Sequence, residues 1–99
     1  MQFIVTAYDH TDSDALNRRL ACREAHLEGI KRMIKQGIFL SGGAMLDDQG
    51  KMIGSSVHLQ FPTRAALDEW LAQDPYVSEK VWDRIEVCEA RLVPLEQFK

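Results

Sequence analysis

Residues 38–61 read IFLSGGAMLDDQGKMIGSSVHLQF. Two apolar stretches flank Asp47-Asp48-Gln49-Gly50, a turn sequence in which Gly50 is free to take a positive φ. The pattern predicts a hairpin. One strand runs over Ile38–Met45, weakened in the middle by Gly42 and Gly43, and the other runs from about Met52 to Phe61. In the second strand Val57, Leu59 and Phe61 alternate with Ser56, His58 and Gln60, so one face is apolar and the other polar. Upstream, Gly37 stops a long helix that starts after the cap oxygens of Thr11-Asp12-Ser13 and ends near Gln36. Leu16, Leu20, Leu27, Ile30 and Ile34 recur in it at helical spacing and mark its expected packing face. Ahead of that helix, residues 2–8 (QFIVTAY) form a strand with Phe3, Val5 and Ala7 on one face and Ile4, Thr6 and Tyr8 on the other. Neither row is strongly polar, which predicts a strand covered on both sides.

Downstream of the hairpin, Pro62-Thr63 opens a helix carrying Leu67, Trp70 and Leu71, with Thr63 as its cap. Asp74-Pro75 punctuates the chain before a short segment, Tyr76–Trp82, and a last strand over Arg84–Val93 ends at Pro94. The order strand, helix, strand, strand, helix, strand is most economically an α+β, ferredoxin-like βαββαβ unit. Its four-stranded antiparallel sheet carries both helices on one face. The other face stays open and is expected to show Phe, Ile, Met or Val, which predicts a homodimer with sheet facing sheet.

Length and composition bound the function. Ninety-nine residues make one domain, 1–99, with a thin core that association would extend. With 45% hydrophobic and 27% charged residues, disorder and collagen-like structure are excluded. A formal charge of -3 argues against nucleic acid as a partner. No apolar run approaches the roughly 20 residues that cross a bilayer, and residue 1 opens no secretory signal, so a cytoplasmic protein is expected. Cys22 and Cys88 form neither a disulfide framework nor a zinc site, His10 and His58 lack metal-ligand spacing, and no metal or cofactor is expected.

Several residues break the pattern. Arg23 falls inside the apolar stripe of the first helix, and His26 is its neighbour one turn on. An isolated pair of this kind more often snorkels to solvent than serves a site. A cation in an apolar stripe must nevertheless be paired or solvated, so a polar pocket or buried carboxylate is expected beneath this helix. Asp74 before Pro75 is first of all a helix cap, and the same rigid placement suits it to orient an imidazole. The glycines of Ser41-Gly42-Gly43 make a bulge or a close approach, and the Gly54-Ser55-Ser56 hydroxyls are available to a substrate oxygen.

These segments together resemble the YciI-like (YCII-related) family: Arg23-Glu24-Ala25-His26-Leu27, Leu40-Ser41-Gly42-Gly43, Ile53-Gly54-Ser55 and Ala72-Gln73-Asp74-Pro75-Tyr76-Val77, in order over nearly the whole chain. The resemblance implies a subunit of the dimeric α+β barrel class with a catalytic His26–Asp74 pair. It implies Arg23 beside a small-molecule substrate, with Ser41, Gly42, Gly43, Ser55 and Tyr76 bordering the pocket. Many relatives carry Gly-Pro where this chain has Gly42-Gly43, a departure that bears on the shape of the pocket wall.

The function expected on these grounds is a cofactor-independent enzyme of isomerase or lyase type. It would work by His/Asp general acid–base chemistry on a small oxygenated substrate, with cyclic and aromatic compounds included. Two alternatives stand beside it: a non-catalytic ligand-binding or assembly module of the same fold, and a cofactor-free monooxygenase. Dimers of this class can pair again, so higher oligomers stay open.

Overall fold

In the computed structural model, which describes residues 1–99, β1 (Gln2–Asp9) lies inside a four-stranded sheet ordered β2-β3-β1-β4. Its neighbours are β3 (Met52–Gln60) and β4 (Trp82–Ala90), both antiparallel to it, and β2 (Phe39–Leu46) forms the edge beyond β3. The helices α1 (Ala15–Lys35), α2 (Arg64–Gln73) and the one-turn α3 (Pro75–Ser78) complete the βαββαβ order. The ferredoxin-like expectation is met, and α3 starts at Pro75, behind the cap that Asp74-Pro75 predicts.

The alternation of β1 decides where the core lies. Phe3, Val5, Ala7 and Asp9 are buried, while Ile4, Thr6 and Tyr8 are half-buried on the opposite face. Phe3 and Val5 join Val57 and Leu59 of β3, Ile30 and Met33 of α1, and Leu67 of α2 in the main core. Each such aliphatic or aromatic side chain, fully removed from water, contributes about 1.5–3 kcal/mol.

Local signals place the helix ends. Gly37 takes φ +75°, and the bonds Ile38 N–H to Met33 O (2.8 Å) and Gly37 N–H to Ile34 O (3.1 Å) close the last turn of α1. At its start, Asp14 caps without a side-chain bond, and the Asp12 carboxylate instead pairs with Arg18 at 2.7 Å. That guanidinium holds the Asp12 carboxyl well below the usual carboxylate range. Thr63 accepts the Ala66 N–H at the start of α2, as its sequence position predicts.

Three expectations are corrected. First, β4 begins at Trp82 and ends at Ala90, because β1 pairs only from Gln2, opposite Ala90, to Asp9, opposite Trp82. Beyond that, the Leu92 N–H turns to the Gln2 side chain. Second, of the Phe, Ile, Met or Val expected on the open sheet face, Ile4 is there but Phe3, Val5 and Val57 are not. Phe3, Val5 and Val57 point to the helices, and the row facing away is Ile4, Thr6 and Tyr8 beside Ser56, His58, Arg84 and Glu86. Third, α1 fully buries only Ile30 of its expected apolar stripe. Its buried residues are Ala15, Arg19, His26, Ile30 and Met33, whereas Leu20, Leu27 and Ile34 are 51%, 41% and 55% exposed.

Candidate active site

The inward face of α1 carries two polar side chains one heptad apart, Arg19 and His26, into an apolar interior. Each is matched by a carboxylate from another element. Arg19 Nη1 donates to both oxygens of Asp9, at 2.8 and 3.0 Å, at the inward end of β1. His26 Nδ1 lies 3.0 Å from both oxygens of Asp74, forty-eight residues away in sequence. His26 is 7% exposed and Asp74 4%. Burying such groups without partners costs several kcal/mol, and each pair offsets much of that cost.

Asp74 is held by its own backbone setting. It ends α2 in an extended conformation and begins α3, with Pro75 at the first helical position. One carboxylate oxygen accepts the Tyr76 N–H at 2.8 Å while facing the imidazole. The cap and the imidazole partner are therefore one feature. The cap fixes the carboxylate, and the carboxylate fixes the ring.

Aromatic packing completes the clamp. The Tyr76 ring stacks on His26 at 3.9 Å between centroids and 8° between planes, and Trp82 meets His26 edge-on at 5.8 Å. The Arg19 guanidinium lies 5.0 Å from the Tyr76 centroid. Burial pushes the Tyr76 phenol above its ordinary value. Burial likewise raises the Asp9 carboxyl, against the pull of Arg19. The Cys22 thiol is raised by burial and then by Glu79 and Asp74, which leaves it a poor nucleophile.

A cavity of about 170 Å3 opens between α1 and the β2–β3 hairpin, with His26, Arg19, Arg23, Ser55 and Tyr76 among its lining groups. Imidazole Nε2 makes no hydrogen bond within the protein and is not sealed off, so it is the nitrogen available to the cavity. Ser55 Oγ accepts from Arg19 Nη2 at 2.8 Å and Trp82 Nε1 at 3.3 Å. With both lone pairs engaged, its own proton is the remaining valence. Arg19 Nε is a buried donor without a partner. No group of three or more His, Cys, Asp or Glu side chains is arranged to hold a metal ion.

Seven of the eight residues singled out from sequence border or build this site: His26, Asp74, Arg23, Gly42, Gly43, Ser55 and Tyr76. Ser41 does not. The β2–β3 register shifts between Phe39 and Ser41, which sets Ser41 opposite His58 on the open face of the sheet. There its hydroxyl bonds His58 Nδ1 at 3.0 Å and lines a separate cavity under the C-terminal segment. Arg23 is exposed at the mouth of the cavity, and the buried carboxylates beneath α1, Asp9 and Asp74, pair with Arg19 and His26 instead. Sequence reasoning missed Asp9 and Arg19. Both were within reach, since Asp9 continues the inward row Phe3, Val5, Ala7, and Arg19 precedes His26 by seven residues.

Residues 1–91 match the family model for the YCII-related domain. The chain is 34% identical to an uncharacterized protein of Haemophilus influenzae over 88 residues, covering 83% of this chain and 88% of that one. It is 32% identical to Protein YciI of Escherichia coli over 93 residues, covering 88% and 93%. Among solved structures, 5-chloro-2-hydroxyhydroquinone dehydrochlorinase (TftG) from Burkholderia phenoliruptrix, in complex with 2,5-dihydroxybenzoquinone, superposes with a TM-score of 0.80 at 19% identity. The match covers 92% of this chain and 94% of that one. An antibiotic biosynthesis monooxygenase superposes at 0.56 and 17% identity, over 95% and 100%. At these identities the structures share the subunit fold of the dimeric α+β barrel proteins with this chain. By the extent of the family match and by its relatives, the chain belongs to the YCII-related domain family.

Proposed function

We propose that the chain, as a single YCII-related unit over residues 1–99, is a cofactor-independent enzyme of isomerase or lyase type. In it His26 moves a proton on a small oxygenated substrate. The observation that carries this reading is a buried imidazole with Nδ1 held 3.0 Å from both oxygens of Asp74 and Nε2 left to a cavity.

The chemistry follows from that asymmetry. Asp74 accepts the Nδ1 proton, which keeps the Nε2 lone pair directed at the substrate and stabilises the imidazolium once Nε2 is protonated. A carbon acid next to a carbonyl group gives up its proton, a C=C bond forms, and the carbonyl electron pair moves onto the substrate oxygen. The Ser55 hydroxyl, with Arg19 behind it, donates to that oxyanion. Arg23, a cation with no carboxylate within 4.0 Å, receives an anionic group at the mouth, and Gly42 and Gly43 form a wall without side chains. Returning the proton to a different carbon completes an isomerisation, and expelling a leaving group instead completes an elimination.

The cavity supports a substrate of one-ring size, since about 150 Å3 admits a benzene-sized molecule. The dehydrochlorinase with this subunit fold is by name an elimination enzyme, and its complex holds a one-ring dihydroxyquinone. Pairing of two subunits through the open sheet face belongs to the same reading. The two free thiols suit a reducing, cytoplasmic setting. No helix is long and apolar enough to cross a membrane.

The test is carbon-bound hydrogen exchange in D2O, followed by NMR, with hydroxylated one-ring compounds such as hydroquinones and hydroxybenzoquinones. Exchange that His26→Ala abolishes, with an unchanged circular dichroism spectrum, supports the enzyme. Ligand binding without His26-dependent exchange across the set returns the protein to the binding-module reading.

A further inference from the structure

The exposed stripe of α1 is ordered. Leu20, Leu27 and Ile34 stand seven residues apart with Arg23 and Ile30 between them, the a and d spacing of a heptad. They line a shallow groove of about 600 Å3 whose rim carries Glu24 and Lys31. No other element of the chain covers the three, which remain 51%, 41% and 55% exposed on a subunit with a small core.

The flanking charges select what fits there. Glu24 and Lys31 hold the same heptad position one repeat apart and are of opposite sign. A second copy of α1 laid antiparallel, with a two-fold axis through Leu27, brings Glu24 to within one residue of the level of Lys31 of the partner subunit, and the converse by symmetry. The same axis sets Leu20 beside Ile34 of the partner subunit and Leu27 beside its own copy. A symmetric contact needs this self-complementarity, which an arbitrary apolar patch lacks.

We propose that a second copy of this chain covers the stripe, α1 against α1 and antiparallel, and that the contact walls the mouth of the His26 cavity. Arg23 and Leu27 line both the groove and the cavity, so whatever lies on the groove closes the cavity on that side. The open sheet face is on the other side of the molecule and is free to make its own contact at the same time.

The experiment is sedimentation velocity on the full chain over a concentration series. Leu27→Glu places two like charges on the axis, and Ile34→Glu acts at a position outside the cavity. Both residues are already exposed, so folding is expected to persist, and circular dichroism checks it. The expected result is that each variant has half the wild-type mass. Glu24→Lys shifts the mass the same way, and adding Lys31→Glu restores it. A wild-type mass shared by all these variants overturns the proposal, including the case in which a different protein covers the stripe. Diethyl pyrocarbonate acylation of His26, read by peptide mass spectrometry, is expected to run several-fold faster in Ile34→Glu than in the wild type. Equal rates overturn the wall. His26→Ala leaves the mass unchanged, so this proposal and the catalytic one fail separately.

Discussion

Replacing Asp74 by Asn separates the two services its carboxylate performs. The Oδ1 atom accepts the Tyr76 N–H at 2.8 Å, and both oxygens lie 3.0 Å from His26 Nδ1. Asn keeps a carbonyl oxygen for the cap, and Asn and Asp are nearly equal as caps. Its amide nitrogen then stands where Oδ2 stood, 3.0 Å from Nδ1, and donates to it. The ring must present a lone pair at Nδ1 and carry its proton on Nε2, so the cavity loses its base. A charge-assisted bond becomes a neutral one, a loss of about 1 kcal/mol, which lowers Tm by about 4–8 °C in a domain of this size. Asp74→Ala removes the cap as well and strands the imidazole, for a loss of about 2–4 kcal/mol. Activity is expected to fall roughly a hundred- to ten-thousand-fold in both variants. Long-range 1H–15N correlation of the His ring reads the tautomer directly and needs no substrate. The expected spectrum has the proton on Nδ1 in the wild type and on Nε2 in Asp74→Asn. The same tautomer in both proteins, or an Asn variant as unstable as the Ala one, would refute the reasoning.

Other outcomes follow from single residues. Leu67 is fully buried and is the buried anchor of α2, so Leu67→Ala is expected to lower stability by about 2–5 kcal/mol in urea denaturation. A Cβ on Gly42 would stand 2.7 Å from Val57 Cγ1 and 2.8 Å from the Ser56 carbonyl oxygen. Gly42→Ala should therefore cost about 1–3 kcal/mol and narrow the cavity, both visible as a lowered Tm and weaker ligand binding. Thr63→Ala should cost about 1 kcal/mol through the lost cap bond to Ala66, again read by denaturation. The Tyr76 phenol, raised by burial, favours the folded state while it is neutral. That contribution is complete below the ordinary phenol value near 10 and is lost as pH rises through the higher folded value. Absorbance at 295 nm should accordingly show Tyr76 ionising late and together with unfolding, whereas ionisation at the ordinary value would contradict its burial.

The legible parts were those that depend on local rules. Gly37 at the end of α1, Thr63 at the start of α2 and the turn at Asp47–Gly50 act through backbone conformation, which neighbouring residues dictate. The role of Asp74 as a cap was likewise readable from Asp-Pro alone, and the family resemblance added the imidazole as its partner. The Ser41 placement was not readable, because a shift of register between Phe39 and Ser41 inverts which face a residue meets. The end of β4 was not readable either, since it is set by where β1 runs out of partners.

By itself the sequence determined the order of elements, their capping and the alternation that puts Phe3, Val5, Val57 and Leu59 in the core. Only the tertiary structure decided which face of α1 turns inward. Periodicity ranks the faces of a helix by their own hydrophobicity, and on that count Leu20, Leu27 and Ile34 outweigh Arg19 and His26. The polar face is buried because Asp9 from β1 and Asp74 from the α2–α3 junction supply acceptors at hydrogen-bond distance. Those partners lie ten and forty-eight residues away along the chain, beyond the reach of any local pattern.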